Sequence, residues 1–446
     1  SEEKMKSNSS FKSDLIENLE DVVYGMPAHT ERLQAVNEIH ARPHLSVDAP
    51  SCMLQLAFMT DGDKHRDNAA LKGLSDQLGI ELREGEEFLH DINLRDGRLH
   101  CEKHLEFSTY LWCTAINPET HEILGEDPFK RGFVPPGPVV SGVRLTILPF
   151  DSQTEDNIAR FDFISPCYSK VENGLATIVT DFRQDEDGIT NALIIEKGLK
   201  PDRIGALAQC LFEIETYRTL AMIAIPLTRT MALELRNMES TLALITEEMR
   251  SDPNSRRESD VLLSELTSLA ADLEASAAAN LYRFGASRAY YEIVQERLSS
   301  LSEQSMPGYC TWYEFLERRI APAMRTCQSV KERQAKLSDK LTRAISLLRS
   351  WIDVELERQN RDLLASMNNR AQLQLRLQQT VEGLSVAAIS YYIVGLLSYI
   401  VKGMPFIYEL IVPEIAIAIT VPLVTLFVWW VVHKIRAAHT DPQKHP

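Results

Sequence analysis

Four polar side chains alternate along one short stretch of the chain: His100, Glu102, His104 and Glu106. Successive side chains of an extended strand point to opposite faces, so all four would share one face. Two imidazoles and two carboxylates suit a borderline metal such as zinc, with His100, Glu102 and His104 as the candidate ligands. The same alternation also describes a solvent-facing polar strand that turns Cys101, Leu105 and Phe107 toward a core. Glu38, His40 and His44 surround Arg42-Pro43. They suit either a small polar site or a proline-stiffened turn with local hydrogen bonds. No GxGxxG, phosphate-loop, GxSxG or HExxH pattern occurs, and no Cys–His spacing suggests a nucleophile. The sequence therefore points away from an enzyme.

A second set of candidates lies near the C-terminus. Glu409 and Glu414 would become rings of carboxylates in a symmetric oligomer, and such rings draw cations to a pore mouth. In a monomer or dimer they are ordinary interfacial charges. Glu382 is either a vestibule charge or a side chain reaching to the membrane surface. These roles depend on two uncharged runs, Leu384–Val401 and Ile415–Val432. Each is about 18 residues, the length at which an apolar run becomes a candidate membrane span. Tyr399, Tyr408, Trp429 and Trp430 fall near their ends, where amphipathic rings favour the interface. Arg370 and Arg376 precede the first run, Lys434 and Arg436 follow the second, and the connector 402–414 holds one Lys and two Glu. Cationic flanks stay cytoplasmic. The expectation is a two-helix transmembrane hairpin in a bacterial inner membrane, with both termini and the bulk of the protein in the cytoplasm.

The composition restricts the partners. The chain has 446 residues and a formal net charge of −16. So acidic a chain argues against nucleic acid, whose phosphates need a basic face. It fits a soluble acidic surface, which also concentrates cations. Seven scattered cysteines without a CxxC pair fit thiols in a reducing compartment. The residues before Phe11 are polar, without a signal-type apolar stretch.

The elements that must position these residues fall into four expected segments. Residues 1–200 read as an α+β domain with a mostly antiparallel sheet. Its strand runs are Cys52–Thr60, Leu99–Ala115, Val143–Leu148, Leu175–Arg183 and Thr190–Glu196, with turn signals at Asp61-Gly62, Asp96-Gly97 and Asp187-Gly188. Helices are expected at Ala69–Leu78 and Glu155–Phe163. Residues 201–383 read as a helical, coiled-coil stalk, with a kink at Pro226, a turn at Ser251–Ser255 and a break at Met306-Pro307-Gly308. Residues 384–432 are the hairpin and 433–446 a tail. No proline occurs between Pro322 and Pro405, so one helix is expected to run unbroken into the first apolar run. A stripe spaced by alternating three and four residues follows it: Leu356, Asn360, Leu363, Met367, Arg370, Gln374, Leu377, Val381, Leu384, Ala388, Tyr391, Gly395 and Ser398. That spacing makes a seam between helices, of the same chain or of several copies.

An α+β body, a helical stalk and two C-terminal apolar runs resemble the CorA-type divalent-cation channels. The loop Lys402-Gly403-Met404-Pro405-Phe406 is similar to that family's Gly-Met-Asn signature, and Val412-Pro413-Glu414 to the acidic Pro-Glu after it. The resemblance implies a homo-oligomer, a pentamer, whose first span lines a pore for a divalent cation such as Mg. Asn360, Met367, Gln374, Val381, Ala388, Tyr391, Gly395 and Ser398 would face its axis. Gly403, Met404, Pro405, Glu409 and Glu414 would form its mouth. Pro405 in place of Asn, and the charge of Lys402, depart from that pattern and favour the alternative, a non-conducting membrane-anchored scaffold or interaction protein, whereas the polar seam and the hairpin topology favour the leading expectation, a divalent-cation channel or transporter. Nearly the whole chain also resembles a family of bacterial membrane-anchored proteins of unknown function, through NEIHARP (Asn37–Pro43), HLEFSTY (His104–Tyr110) and Glu357–Tyr392. That resemblance implies no activity.

Overall fold

The computed structural model describes residues 22–439 except 25, 30, 33–35, 37–44, 81–88, 118, 121, 131, 162–165, 251–258 and 404–412. The chain forms two compact units. One comprises residues 1–257 and 264–343, the other residues 258–263 and 344–446.

The first unit is built on a mixed nine-stranded sheet. Two short strands, β1 (Val22–Val23) and β2 (Met26–Pro27), pair separately. The large sheet takes β3 (Ser51–Met59), β4 (Leu89–Leu94), β5 (Gly97–Lys103), β6 (Phe107–Ala115), β7 (Val139–Pro149), β8 (Cys167–Val171), β9 (Ala176–Gln184), β10 (Thr190–Glu196) and β11 (Gln304–Ser305). Their order is β11-β8-β9-β10-β7-β3-β6-β5-β4. Only β10 and β7 run parallel, and the other pairs are antiparallel. The strand β3 is central and buried on both faces, which fits its composition, Ser-Cys-Met-Leu-Gln-Leu-Ala-Phe-Met.

Alternation along these strands divides the core. Leu54, Phe58, Leu99, Cys101, Tyr110 and Trp112 pack on one face with Leu71 and Leu74 of α1 (Lys64–Leu78). Farther along the sheet, Cys52, Leu148, Val179, Leu193 and Ile195 gather beside α2 (Thr154–Ile158), a helix shorter than the expected Glu155–Phe163. The opposite face is covered by α3 (Pro201–Met222), which packs on β7. Burying about 25 cal/mol per Å² of apolar surface on both faces makes this sheet the stable centre of the unit.

The helical half follows. Helix α3 ends at Met222 with Ile223 as its C-cap, and α4 (Ala224–Arg250) follows directly. The break therefore falls three residues before Pro226, which sits in the first turn of α4, where its missing N–H costs nothing. Helix α5 (Ser259–Ser300) and α6 (Trp312–Lys402) complete the set. Within the first unit, Arg333 of α6 clamps Glu239 of α4, the Thr228 hydroxyl lies 3.1 Å from Cys327 Sγ, and the Ser338 hydroxyl donates to Glu274 of α5 at 2.6 Å.

The second unit contains residues 344–402 of α6 and α7 (Pro413–His439). Ser390 and Val428 are buried here, and Gln379, Gly383 and Val386 of α6 share a groove with Trp429, Val432 and His433 of α7. The unbroken helix expected from Pro322 onward is present, with Pro322 near its start. The expected pair of transmembrane helices with CorA-like architecture is not, and its expected external loop, 402–414, lies largely outside the described residues. Among the described residues one helix, Trp312–Ile400, is long and apolar enough to cross a membrane. The second apolar run appears as the shorter helix Ala418–Lys434.

Candidate functional site

Three of the four alternating residues do come together with partners from elsewhere. His100 and Glu102 project from β5 toward α3, and His104 follows in the turn. Strand register sets the row: His100 lies opposite Leu111 of β6, which lies opposite Gln55 of β3, and Glu102 lies opposite Thr109. Helix α3 closes the space with Gln209, Phe212, Glu213, Thr216 and Tyr217, whose spacing of three and four puts them on one face. At Gly205 of the same face the Leu45 carbonyl comes so close that a Cβ would lie 1.6 Å from it, so no larger residue fits.

The resulting cavity holds about 70 Å³. Pockets for cofactors and drug-sized ligands run to ~300 Å³ or more, so this one accommodates water or a very small polar species. Its polar groups are mostly tied to one another. Gln55 donates to the Thr216 hydroxyl at 3.0 Å, Gln209 donates to Glu213 at 3.0 Å, and Arg297 of α5 pairs with Glu213. The His104 ring stacks on Phe107 at 4.2 Å, with its Nε2 3.8 Å from Glu102. His100 differs, because its Nδ1 is buried without a hydrogen-bond partner. Burial lowers its pKa, which keeps the imidazole neutral. No group of three or more His, Cys, Asp or Glu among the described residues is arranged to hold a metal ion.

Glu106 leaves the set. Alternation needs a straight strand, and β5 ends at Lys103, so residues 104–106 turn the chain into β6. The side chain of Glu106 is 3% exposed and pairs with Arg283 of α5 at 3.0 Å. Its backbone carbonyl accepts from the amides of Thr60 and Asp61. Burial, then the adjacent Glu106 carboxylate, raises the phenol pKa values of Tyr282 and Tyr290. Glu106 thus fastens α5 to the sheet, 177 residues away in sequence. Nothing local in the sequence marks Arg283 as its partner. The inward-facing Gln55, Gln209, Glu213 and Thr216 were also missed, although the spacing along α3 carries a weak signal for the last three.

The seam candidates all lie on α6. Asn360, Met367, Gln374, Val381, Ala388 and Tyr391 are exposed, and Gly395 and Ser398 half-buried. Gly403 is exposed, Met404, Pro405 and Glu409 lie outside the described residues, and Glu414 falls in the first turn of α7. Glu38, His40 and the NEIHARP motif also lie outside them, as do His44 and Ser251–Ser255.

Residues 27–439 match a family described as "Protein of unknown function (DUF3422)". The chain belongs to this family. No curated protein matches it. Membership of DUF3422 agrees with the near full-length resemblance to an uncharacterised family, while the CorA-type resemblance finds no support. The DUF3422 match takes in the sheet, the cavity under α3, all of α6 and all of α7.

Proposed function

We propose that the chain is a membrane-attached, self-associating scaffold rather than an enzyme or a channel. Supporting it is the exposed apolar seam on α6: Leu356, Leu363, Met367, Leu377, Val381 and Leu384 are each more than half exposed in a single chain. Apolar residues repeating at 3.5-residue spacing lose water only against another helix, so a second copy of α6 is their natural cover. The polar members Asn360, Arg370 and Gln374 would fix register at some cost in stability. The apolar end of α6 supplies the attachment to the bacterial inner membrane. The conducting alternative rested on two spans and on the loop 402–414. The first is corrected above, and the loop lies largely outside the described residues.

The test is the mass of the full chain in detergent, measured by light scattering, for the native protein and for Leu363→Asp with Met367→Asp. An oligomer that dissociates in the double variant supports the reading. A monomeric native protein overturns it.

A further inference from the structure

Of the seven cysteines, all free, two meet across a backbone bridge: Cys167, at the start of β8, pairs in parallel with Cys310. Neighbouring strands lie about 4.8 Å apart, within the ~4.4–6.8 Å between Cα atoms that a disulfide spans. The segment carrying Cys310 is held there by several independent contacts. Gln304 and Ser305 pair with Lys170 and Ser169, the Tyr168 amide donates to the Cys310 carbonyl at 3.1 Å, and the Tyr168 and Tyr309 rings lie 5.1 Å apart. Cys52 and Cys113 show the contrast. They are offset by one residue in the β3–β6 register and so occupy opposite faces of the sheet.

We propose that Cys167 and Cys310 form a thiol–disulfide exchange site, reduced at rest and closed by a low-molecular-weight disulfide such as oxidised glutathione. Cys310 is partly exposed and Cys167 fully buried, which assigns the order of events. The Cys310 thiolate attacks one sulfur of the small disulfide, whose S–S bond breaks and releases one thiol. The Cys167 sulfur then attacks Cys310 in the mixed disulfide and releases the second thiol. Two protein thiols are oxidised and one small disulfide is reduced to two thiols, which carry away the two protons. Burial, and then the neighbouring Cys310, raises the pKa of the Cys167 thiol, consistent with its acting second. The bond joins the sheet edge to the residues just before α6, whose first turn begins at Trp312. Closure therefore locks the root of the helix that carries the seam.

The experiment treats the full chain in detergent with oxidised glutathione, blocks remaining thiols, and maps peptides without reduction. A peptide joining Cys167 to Cys310, lost on reduction and absent from Cys310→Ser, is the expected result. Hydrogen exchange at residues 167–171 and 304–311 should slow in the oxidised protein, and its Tm should rise by roughly 5 °C. Cys167→Ala should accumulate glutathione on Cys310. Should that buried variant fail to fold, the exposed-side variant Cys310→Ser still decides the matter. Glutathione remaining on Cys310 of the native chain, pairing among other cysteines instead, or no reaction at all would each overturn the proposal.

Discussion

Helix α6 carries one pattern and meets two fates. In the first unit its apolar positions recur every three or four residues, and Leu316, Ile320, Met324, Cys327, Val330, Leu337 and Leu341 are buried against neighbouring elements. In the second unit the pattern continues through Leu356, Leu363, Met367 and Leu377, yet these stand 56–67% exposed. The helix does not change its chemistry at the boundary; what changes is the supply of partners. Apolar periodicity therefore says that a face will be covered, and only the tertiary structure says whether the same chain covers it.

The sharpest way to break this comparison is to unfasten the packed half. Arg283→Ala leaves Glu106 as a buried carboxylate without its cation and should destabilise the first unit by ~3–5 kcal/mol, read from urea unfolding. A matched pair of truncations on α6 comes next. Leu341→Ala, at a fully buried position, should cost ~2–5 kcal/mol. Leu363→Ala, at an exposed one, should change the same unfolding transition by less than ~0.5 kcal/mol. Equal costs for the two would mean that the halves of the helix do not differ as described.

A smaller effect concerns the cavity under α3. Because burial lowers the pKa of His100 from its ordinary 6.5, the unfolded chain binds the proton more readily. The stability this residue contributes is present above that pH and is lost as pH falls through 6.5 toward the folded value. Denaturant midpoints of His100→Gln should decline less than those of the native protein across that window. Parallel curves would show that His100 is not held neutral. The smallest expected effect belongs to Asn360→Ala, a solvent-exposed polar position, whose unfolding of the first unit should stay within ~0.5 kcal/mol of the native protein.

Much of this fold is readable from local pattern. The hairpin of β9 and β10 about Asp187-Gly188, the breaks near Ser300 and the long proline-poor helix all follow from turn chemistry and period. Where pattern failed, the cause was a partner distant in sequence or a length. Leu99–Ala115 looked like one strand because the turn at 104–106 has no Gly or Pro, and only the docking of Glu106 on Arg283 shows where it bends. The parallel pairing of β10 with β7 depends on a crossover that no local signal specifies. The second apolar run looked long enough in letters, and among the described residues only the shorter stretch Ala418–Lys434 of it forms an apolar helix. Of the cavity, His100, Glu102 and His104 were legible from alternation, whereas the α3 residues opposite became visible only once the helix lay on the sheet.

Glu303 has a consequence for the order in which the protein assembles. Its carboxylate accepts from the backbone amides of Trp312 and Tyr313, capping the first turn of α6, and from the hydroxyl of Ser169 on β8. Helical turns form quickly because their bonds are local. The cap itself is local, but its bond to Ser169 spans 134 residues, so only that anchorage waits for slow long-range loop closure. The interior of α6 can wind early. Its starting point is set by the nearby Thr311–Glu314 capping pair, and the sheet arrives later to fix where that start sits.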